Sequence, residues 1–528
     1  MDTGRQRWTM VAVVLGSAVV FLDSTLVNVA LPQIGKQLPT HFFGVLEAQS
    51  YVYTGYLLAL SGLLILGGVL SDRHGRRRMF AIGLSGFGVT SLAAGLAPTM
   101  ELLVLLRVLQ GATAAILVPG SISIITSSFD GEDRGRAFGI WAGASAATTI
   151  LGPFLGGALV DSFSWRVAFL INVPILAVAL YATLRHMPES RGEQIGAGFD
   201  WMGAAAVTLA VGGLTLGAIR GQEQEWRDPL AYGALGAGAG AAAGAPFLLR
   251  RARHPLVPFV LFRSRNFTVT NLSTLLIYAG VYLLFYYPVL FTQGALGYTA
   301  SAAGLAPVPA LTFLVLFSSR VGRLAARRGP RVLVTIGPAV MALGLLLFVR
   351  VPSTSEPWVL RPADPASWAP PLDYVVHLLP GFAVFGLGLM AMVAPLTTAL
   401  MASVPPEHAG CASALNNAIS RVGPQLAGAL IFVAITAGFY ADLGRAVPGV
   451  DVSSSVVRRQ LAPLNAPPAG ASPATARAAL EASTRMFHLA MGLAAGLVAA
   501  GGAVNAIGIR DSRGELPRLP PKPQSVAR

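Results

Sequence analysis

Charge is scarce in this sequence. Only 12% of its 528 residues are Asp, Glu, Lys or Arg, while 54% are apolar and mean hydropathy is +0.63. A soluble domain carries about 25% charged residues. Such a chain cannot cover itself with water-facing side chains, which excludes a soluble globular fold and leaves an all-α, multi-span membrane protein. Cysteine is nearly missing: Cys411 stands alone, which excludes an intrachain disulfide. The seven histidines are scattered, and no HExxH or DDxxD spacing occurs. That argues against a metal-dependent membrane hydrolase or prenyltransferase, and no metal or organic cofactor is expected. A Walker lysine motif is also lacking, so ATP is not the direct energy source. The head Met1 to Arg7 is basic. The apolar run behind it contains Asp23 and no small-residue cleavage site, so it reads as a retained first span.

What charge there is lies in short loops. The net charge of +14 is carried almost wholly by arginine between apolar runs, the positive-inside pattern of membrane proteins rather than the footprint of a nucleic-acid binder. Runs of about 20 residues, long enough to span, number fourteen. They cover Trp8 to Leu31, Leu46 to Leu70, Met79 to Leu96, Leu102 to Thr126, Ala137 to Val160, Val167 to Leu184, Trp201 to Ile219 and Leu230 to Leu249. Thr268 to Phe291, Ala303 to Val321, Val332 to Val349, Tyr374 to Met401, Ala412 to Phe439 and Met486 to Ile509 follow. An even count puts both termini on one side, and the arginine loops make that side the cytoplasm.

One stretch organises the chain: GVLSDRHGRRRMF, Gly68 to Phe80. It sets Asp72 among Arg73, Arg76, Arg77 and Arg78, with Gly75 to accept a positive φ and Gly68 to admit a neighbouring helix closely. Asp72 can pair locally or cap the end of another helix in one conformation only, which would make it a switch. A weaker copy, GRLAARRGPR from Gly322 to Arg331, keeps the turn and puts Ala326 where Asp72 stood. Two more pairs repeat at the same eight-span offset: GPFLGG with GPQLAG, from Gly152 and Gly423, and GEDRGRAFG with PEHAGCASA, from Gly131 and Pro406. Two six-span halves around two extra spans give that offset. The expected division is residues 1–185, a linker at 186–262 with the two extra helices, a second half at 263–510 and a tail at 511–528. Long outside loops fall at 350–373 and 440–485, the second Ala-, Pro- and Ser-rich and expected to be flexible.

Ionisable residues inside apolar runs point to chemistry. Asp23 lies mid-span and is costly to bury charged, so it is expected to exchange protons unless a cation compensates. Arg107 is always charged and must find an acid or carbonyls; Asp23 is its natural partner. A static structural pair is the alternative. Gln110 lies one turn from Arg107. Pro153 kinks the fifth span beside Gly152, Gly156 and Gly157. Cavity candidates are Asn28, Tyr56, Gln110, the stripe Tyr278, Tyr282 and Tyr286, and Asn416, Asn417 and Arg421 at the start of the thirteenth span. Acids are missing there, which disfavours dications and leaves room for neutral or anionic substrates.

These residues carry a resemblance. Gly68, Leu70, Asp72, Arg73, Gly75, Arg76 and Arg77 resemble the G-x-L-A-D-R-x-G-R-R loop of the major facilitator superfamily, with Ser71 for Ala. Leu22, Asp23, Thr25 and Val27 to Pro32 resemble the L-D-x-T-I-V-N-V-A-L-P signature of fourteen-span drug/proton antiporters of the EmrB/QacA type. Arg107, Gln110 and Gly111 resemble R-x-x-Q-G. Gly152, Pro153, Gly156 and Gly157 resemble the antiporter motif G-x-x-x-G-P-x-x-G-G, with Thr148 in its first position. Trp165, Arg166, Phe169, Asn172 and Pro174 resemble W-R-x-x-F-x-x-N-x-P. The resemblance implies the major facilitator fold with fourteen spans and multidrug efflux of small amphipathic organic compounds. It places the chain in the inner membrane, as a monomer working by proton-coupled alternating access. On this reading Asp23 and Arg107 couple protons, the Asp72 loop gates the cytoplasmic side, and the long outside loops could meet a cell-envelope partner. A lipid or metabolite exporter on the same scaffold is the alternative; a polytopic enzyme or a sensor fits the residues less well.

Overall fold

A computed structural model describes the chain from residue 3 to residue 510, apart from residues 42–44, 192–199, 224–225, 253–254, 362–363, 453, 455–456, 458–460 and 468–469. The tail at 511–528 lies outside the described residues, as do the side chains of a few helical positions, among them Asn28, Pro153, Gly156 and Gly157. Helices dominate because backbone groups at membrane depth must be satisfied within their own segment. In chain order they are α1 (Thr3–Gln37), α2 (Val45–His74), α3 (Arg76–Gly95), α4 (Met100–Ser128), α5 (Gly131–Ser162), α6 (Val167–Leu170) and α7 (Asn172–His186). Then come α8 (Trp201–Glu223), α9 (Pro229–Arg251), α10 (Val260–Arg263), α11 (Arg265–Gly294), α12 (Ala300–Leu305), α13 (Val308–Arg328), α14 (Arg331–Leu347), α15 (Leu379–Ala402), α16 (Ala409–Ala446) and α17 (Pro473–Gly508). Among the described residues, 12 helical stretches are long and apolar enough to cross a membrane. Helices α3 and α5, of 20 and 32 residues, stand outside that set, so the expected fourteen exceeds the number that length and apolarity alone support.

Local sequence explains where helices start and stop. Thr99, Asp228, Ser264 and Ser472 each accept a backbone N–H in the first turn of the helix that follows, and Pro229 and Pro473 occupy the position where a missing N–H costs nothing. Gly75 and Gly329, at matching places in the two loop copies, turn the chain at φ of 106° and 90°, a region closed to most side chains.

Among the described residues, the apolar core falls into three clusters: one within the N-terminal helices, one that runs from them through α8 and α9 into α15 and α16, and one in the C-terminal helices, which Ala146 of α5 joins. The halves meet where α2 crosses α16 and α5 crosses α13. Helices α8 and α9 form a hairpin closed by Gly213, Gly217 and Gly238. Helix α8 rests on both α2 and α16, touching Gly62 through Thr208 and Gly212, while Leu230, Tyr232 and Phe247 leave α9 largely outward-facing. The extra pair is therefore joined to both halves rather than tethered beside them.

The described residues of 440–485 hold more contacts than an Ala-, Pro- and Ser-rich composition suggests. Helix α16 continues to Ala446 and α17 begins at Pro473. Between them Leu461 and Leu464 are buried, Tyr440 donates to the Leu461 carbonyl at 3.0 Å, and Ser483 accepts from the Leu464 amide at 3.1 Å. Two leucines supply the apolar anchors that a composition count of Ala, Pro and Ser overlooks. Among the described residues of 350–373, Trp358 is likewise buried and donates to the Ser367 carbonyl.

Candidate functional site

Three polar constructions lie inside this apolar scaffold. The first fills the interior of the N-terminal half. Asp23 on α1, Arg107 and Gln110 on α4, Ser91 on α3 and Asn172 on α7 are all wholly buried. Arg107 Nη1 donates to Asp23 Oδ2 at 2.5 Å and to Gln110 Oε1 at 2.8 Å. Gln110 Nε2 and Asn172 Nδ2 both donate to Asp23 Oδ1, at 3.1 and 3.0 Å. Asn172 is itself steadied by Ser91 Oγ at 3.0 Å. The guanidinium also donates through Nε to the Val52 carbonyl at 3.1 Å and lies 4.1 Å above the Tyr56 ring. The one-turn spacing of Arg107 and Gln110 lets both reach the same carboxylate.

Such a pair is expensive to assemble. Each ion loses several kcal/mol of hydration, recovered only when geometry is good and the remaining polar atoms are satisfied. Asp23 meets that condition on both oxygens. Among the described residues Arg107 does not: its Nη2 has no hydrogen-bond partner, nor does Asn172 Oδ1. The cluster thus has donor and acceptor capacity in reserve, which a rearranged state can use.

The second construction clasps the two halves at their arginine-rich end. Asp72 Oδ1 accepts from Arg76 Nη2 and Nε at 2.9 and 3.1 Å and from Ser123 Oγ at 3.3 Å. Its other oxygen crosses to the opposite half, where it accepts the Cys411 backbone N–H at 3.0 Å. Cys411 lies in the first turn of α16, so Asp72 satisfies an orphan amide and faces the positive end of the helix dipole. Arg76 follows it across, donating to the Pro406 carbonyl at 2.5 Å. Gly68 permits this approach: a Cβ there would collide with the Gly410 carbonyl and the Ala414 side chain. The repeats make a reciprocal contact, for a Cβ on Gly135 would strike the Gly322 carbonyl and one on Gly322 the Gly135 carbonyl. Without a second Asp72, that side uses Glu132 and Arg327 at 2.6 Å. Hydrogen bonding to Arg327 holds the Glu132 carboxyl below the usual range, but the pair is solvated and contributes little. Glu189, for which the sequence carries no signal, accepts from the Arg77 and Arg78 amides at 3.0 and 3.2 Å and so caps α3.

The clasp has a built-in reporter. Cys411 is the chain's single thiol, and it is buried against the Leu256 carbonyl at the Asp72 contact. Asp72→Asn removes a charge-assisted hydrogen bond worth about 1.5–3 kcal/mol. Maleimide labelling of Cys411 in the purified protein is therefore expected to run about 10- to 100-fold faster in that variant. An unchanged rate would mean that Asp72 does not hold this end shut.

The third construction is a cavity of about 220 Å³ between α2, α8, α11 and α16. Tyr278, Tyr282 and Arg421 line it, and Tyr286 stacks on Tyr282 with ring centroids 5.5 Å apart. Four expected cavity residues point elsewhere. Tyr56 and Gln110 are drawn into the Asp23 cluster, because the buried guanidinium takes both as partners. Asn416 bridges to Asn271 and Thr274 on α11, at 3.1 and 2.9 Å. Asn417 turns back to the Ser413 carbonyl at 2.9 Å. The Asn28 side chain, with Pro153, Gly156 and Gly157, falls outside the described residues. Gly152 is described, and it seats Thr25 of α1 so closely that no Cβ could stand between them.

Residues 13–428 match the description Major Facilitator Superfamily. The chain belongs to this family. Major Facilitator Superfamily chains similar to it include the puromycin resistance protein pur8 of Streptomyces alboniger, 33% identical over 464 residues, 86% of each chain. The multidrug resistance protein Stp of Mycobacterium tuberculosis is 31% identical over 448 residues, 84% of this chain and 79% of the relative. Among solved structures, the proton:xylose symporter XylE aligns at a TM-score of 0.56 and 16% identity over 95% of each chain. The human organic anion transporter MFSD10 aligns at 0.54 and 15% identity, over 92% of this chain and 99% of that one. Both show the shared fold. The Major Facilitator Superfamily consists of membrane transporters, not enzymes, and its fold places the cavity between two helical halves and the Asp72 clasp across the seam beside it.

Proposed function

We propose that this chain is a proton-coupled exporter of small amphipathic organic compounds, working by alternating access in the plasma membrane. The observation that carries the reading is Asp23, a carboxylate with no exposure whose charge is compensated by one arginine. A proton arriving there cancels half of a desolvated ion pair, so the two protonation states favour different arrangements of α1, α4 and α7. That is the differential energy a driven transporter requires. The membrane potential adds about 2.3 kcal/mol per charge per 100 mV. The Asp72 clasp serves as the cytoplasmic gate, engaged here, and it must release before substrate can enter from inside.

The finer assignment is to fourteen-span drug/proton antiporters, with both termini inside. Helices α3 and α5 supply the two further spans, since each packs within the N-terminal bundle beside helices of spanning length. The relatives named for multidrug and puromycin resistance support export of organic compounds rather than uptake of nutrients.

Everted membrane vesicles provide the test, with puromycin, ethidium and carboxyfluorescein as probes. Respiration should drive accumulation of at least one of the three in vesicles carrying the protein, and an uncoupler should abolish it. Accumulation that survives the uncoupler, or none above empty vesicles for all three, would remove the proposal.

A further inference from the structure

Every buried arginine that the two polar clusters use has a carboxylate: Arg107 has Asp23 and Arg76 has Asp72. Arg421 has none. It lies in the first half of α16 and lines the cavity, half-buried, with no ion-pair or hydrogen-bond partner among the described residues. Among the described residues, no acidic side chain lines the cavity. A guanidinium at membrane depth without a counter-charge is costly, and it attracts any ligand group that brings negative charge.

A second observation points the same way. Thr215 of α8 lines this cavity with 2% exposure, and its hydroxyl oxygen has no hydrogen-bond partner among the described residues. A buried hydroxyl left unsatisfied costs about 1–3 kcal/mol, and a bound oxyanion would accept a hydrogen bond from it. Ser420 and Gln425 add polar groups on the Arg421 side. The rings of Tyr278 and Tyr282 line the same space, the second backed by stacked Tyr286. The space is about 220 Å³, below the roughly 300–1,000 Å³ of drug-sized sites, so it suits a fragment of one or two fused rings.

We propose that this cavity is a binding site for planar aromatic monoanions: Arg421 takes the carboxylate or sulfonate, Thr215 donates a hydrogen bond to it, and the tyrosines hold the ring. The substrate class follows from an unmatched cation rather than from the names of relatives. It also gives α8, one of the two helices added to the paired bundles, a direct part in recognition. The inference deepens the exporter reading and rests on it for the physiological direction of movement; the binding event itself needs no gradient.

The test is equilibrium binding to the full-length protein in nanodiscs, without a proton gradient. Tritiated 2-naphthoate is the probe, and methyl 2-naphthoate and 2-naphthylmethylammonium are competitors. The carboxylate should bind about tenfold or more tightly than the ester, the worth of a charge-assisted hydrogen bond. The ammonium compound should compete worst. Arg421→Gln should bind acid and ester alike. Arg421→Lys, which keeps the charge but loses the fork, should fall between, and Thr215→Val should weaken the acid several-fold and leave the ester unchanged. No binding of 2-naphthoate, equal competition by ester or ammonium, or an undiminished acid preference in Arg421→Gln would overturn the proposal. A protein that binds 2-naphthoate as described but accumulates nothing in energised vesicles would keep the site and lose the exporter reading. One that pumps dyes without anion preference would do the reverse.

Discussion

Asp23→Asn is expected to yield a folded, membrane-inserted protein in which respiration-driven accumulation of transported dyes falls to the level of empty vesicles. The substitution keeps the size of the side chain and one acceptor oxygen. Arg107 then still has Gln110 Oε1, the Val52 carbonyl and the Tyr56 ring. In the proposed cycle protonated Asp23 is the same neutral arrangement, so a fold that runs the cycle tolerates it. What the variant loses is the alternation between charged and neutral forms, and with it the free energy that a proton can deliver. Size-exclusion profiles matching wild type, together with transport indistinguishable from the empty control, would meet the expectation. Wild-type accumulation by this variant would show that Asp23 is only a structural partner of Arg107.

The second large effect concerns the other half of the pair. Arg107→Met leaves the Asp23 carboxylate buried with only neutral donors, Gln110 and Asn172, and removal of one member of a buried ion pair costs about 3–5 kcal/mol. The double variant Asp23→Asn/Arg107→Met removes both charges and fills the space with an apolar side chain of similar length. It should be more stable than Arg107→Met alone, although it contains one substitution more. Thermal unfolding of the three variants in detergent gives the coupling directly. A double variant whose loss relative to wild type equals the sum of the two single losses, and which therefore falls below Arg107→Met by the Asp23→Asn loss, would mean that the two side chains do not act on each other.

The chemistry of these sites was legible in the sequence because membrane depth makes ionisable residues conspicuous. Asp23, Arg107 and Asp72 stand out against apolar runs, and their costs alone nominate partners. The reciprocal contacts of the repeats are a different matter. The repeats themselves could be read as text, but not that Gly68 of one loop copy lies against Gly410, or Gly135 against Gly322, because that depends on how the halves dock. Asn172 belonged to a recognisable motif, yet nothing in the motif says that its amide reaches the Asp23 carboxylate. Tyr56 and Gln110 meet the Asp23 cluster rather than the cavity for a related reason: helical spacing gives a face, while rotation of the helix in the bundle decides what that face meets. Thr215 lay in a helix of small and aliphatic residues where one more hydroxyl carries no signal; only an unsatisfied oxygen beside an unmatched arginine makes it visible.

The account stands on a proton that leaves or joins Asp23 when the transporter changes state. The most direct measurement is proton exchange on substrate binding, followed with a pH indicator in weakly buffered nanodiscs, using whichever probe the vesicle assay shows to be transported. Wild type should exchange protons with the medium when that probe is added, and Asp23→Asn should bind the same probe with no exchange. Equal proton exchange by the two proteins would contradict the account.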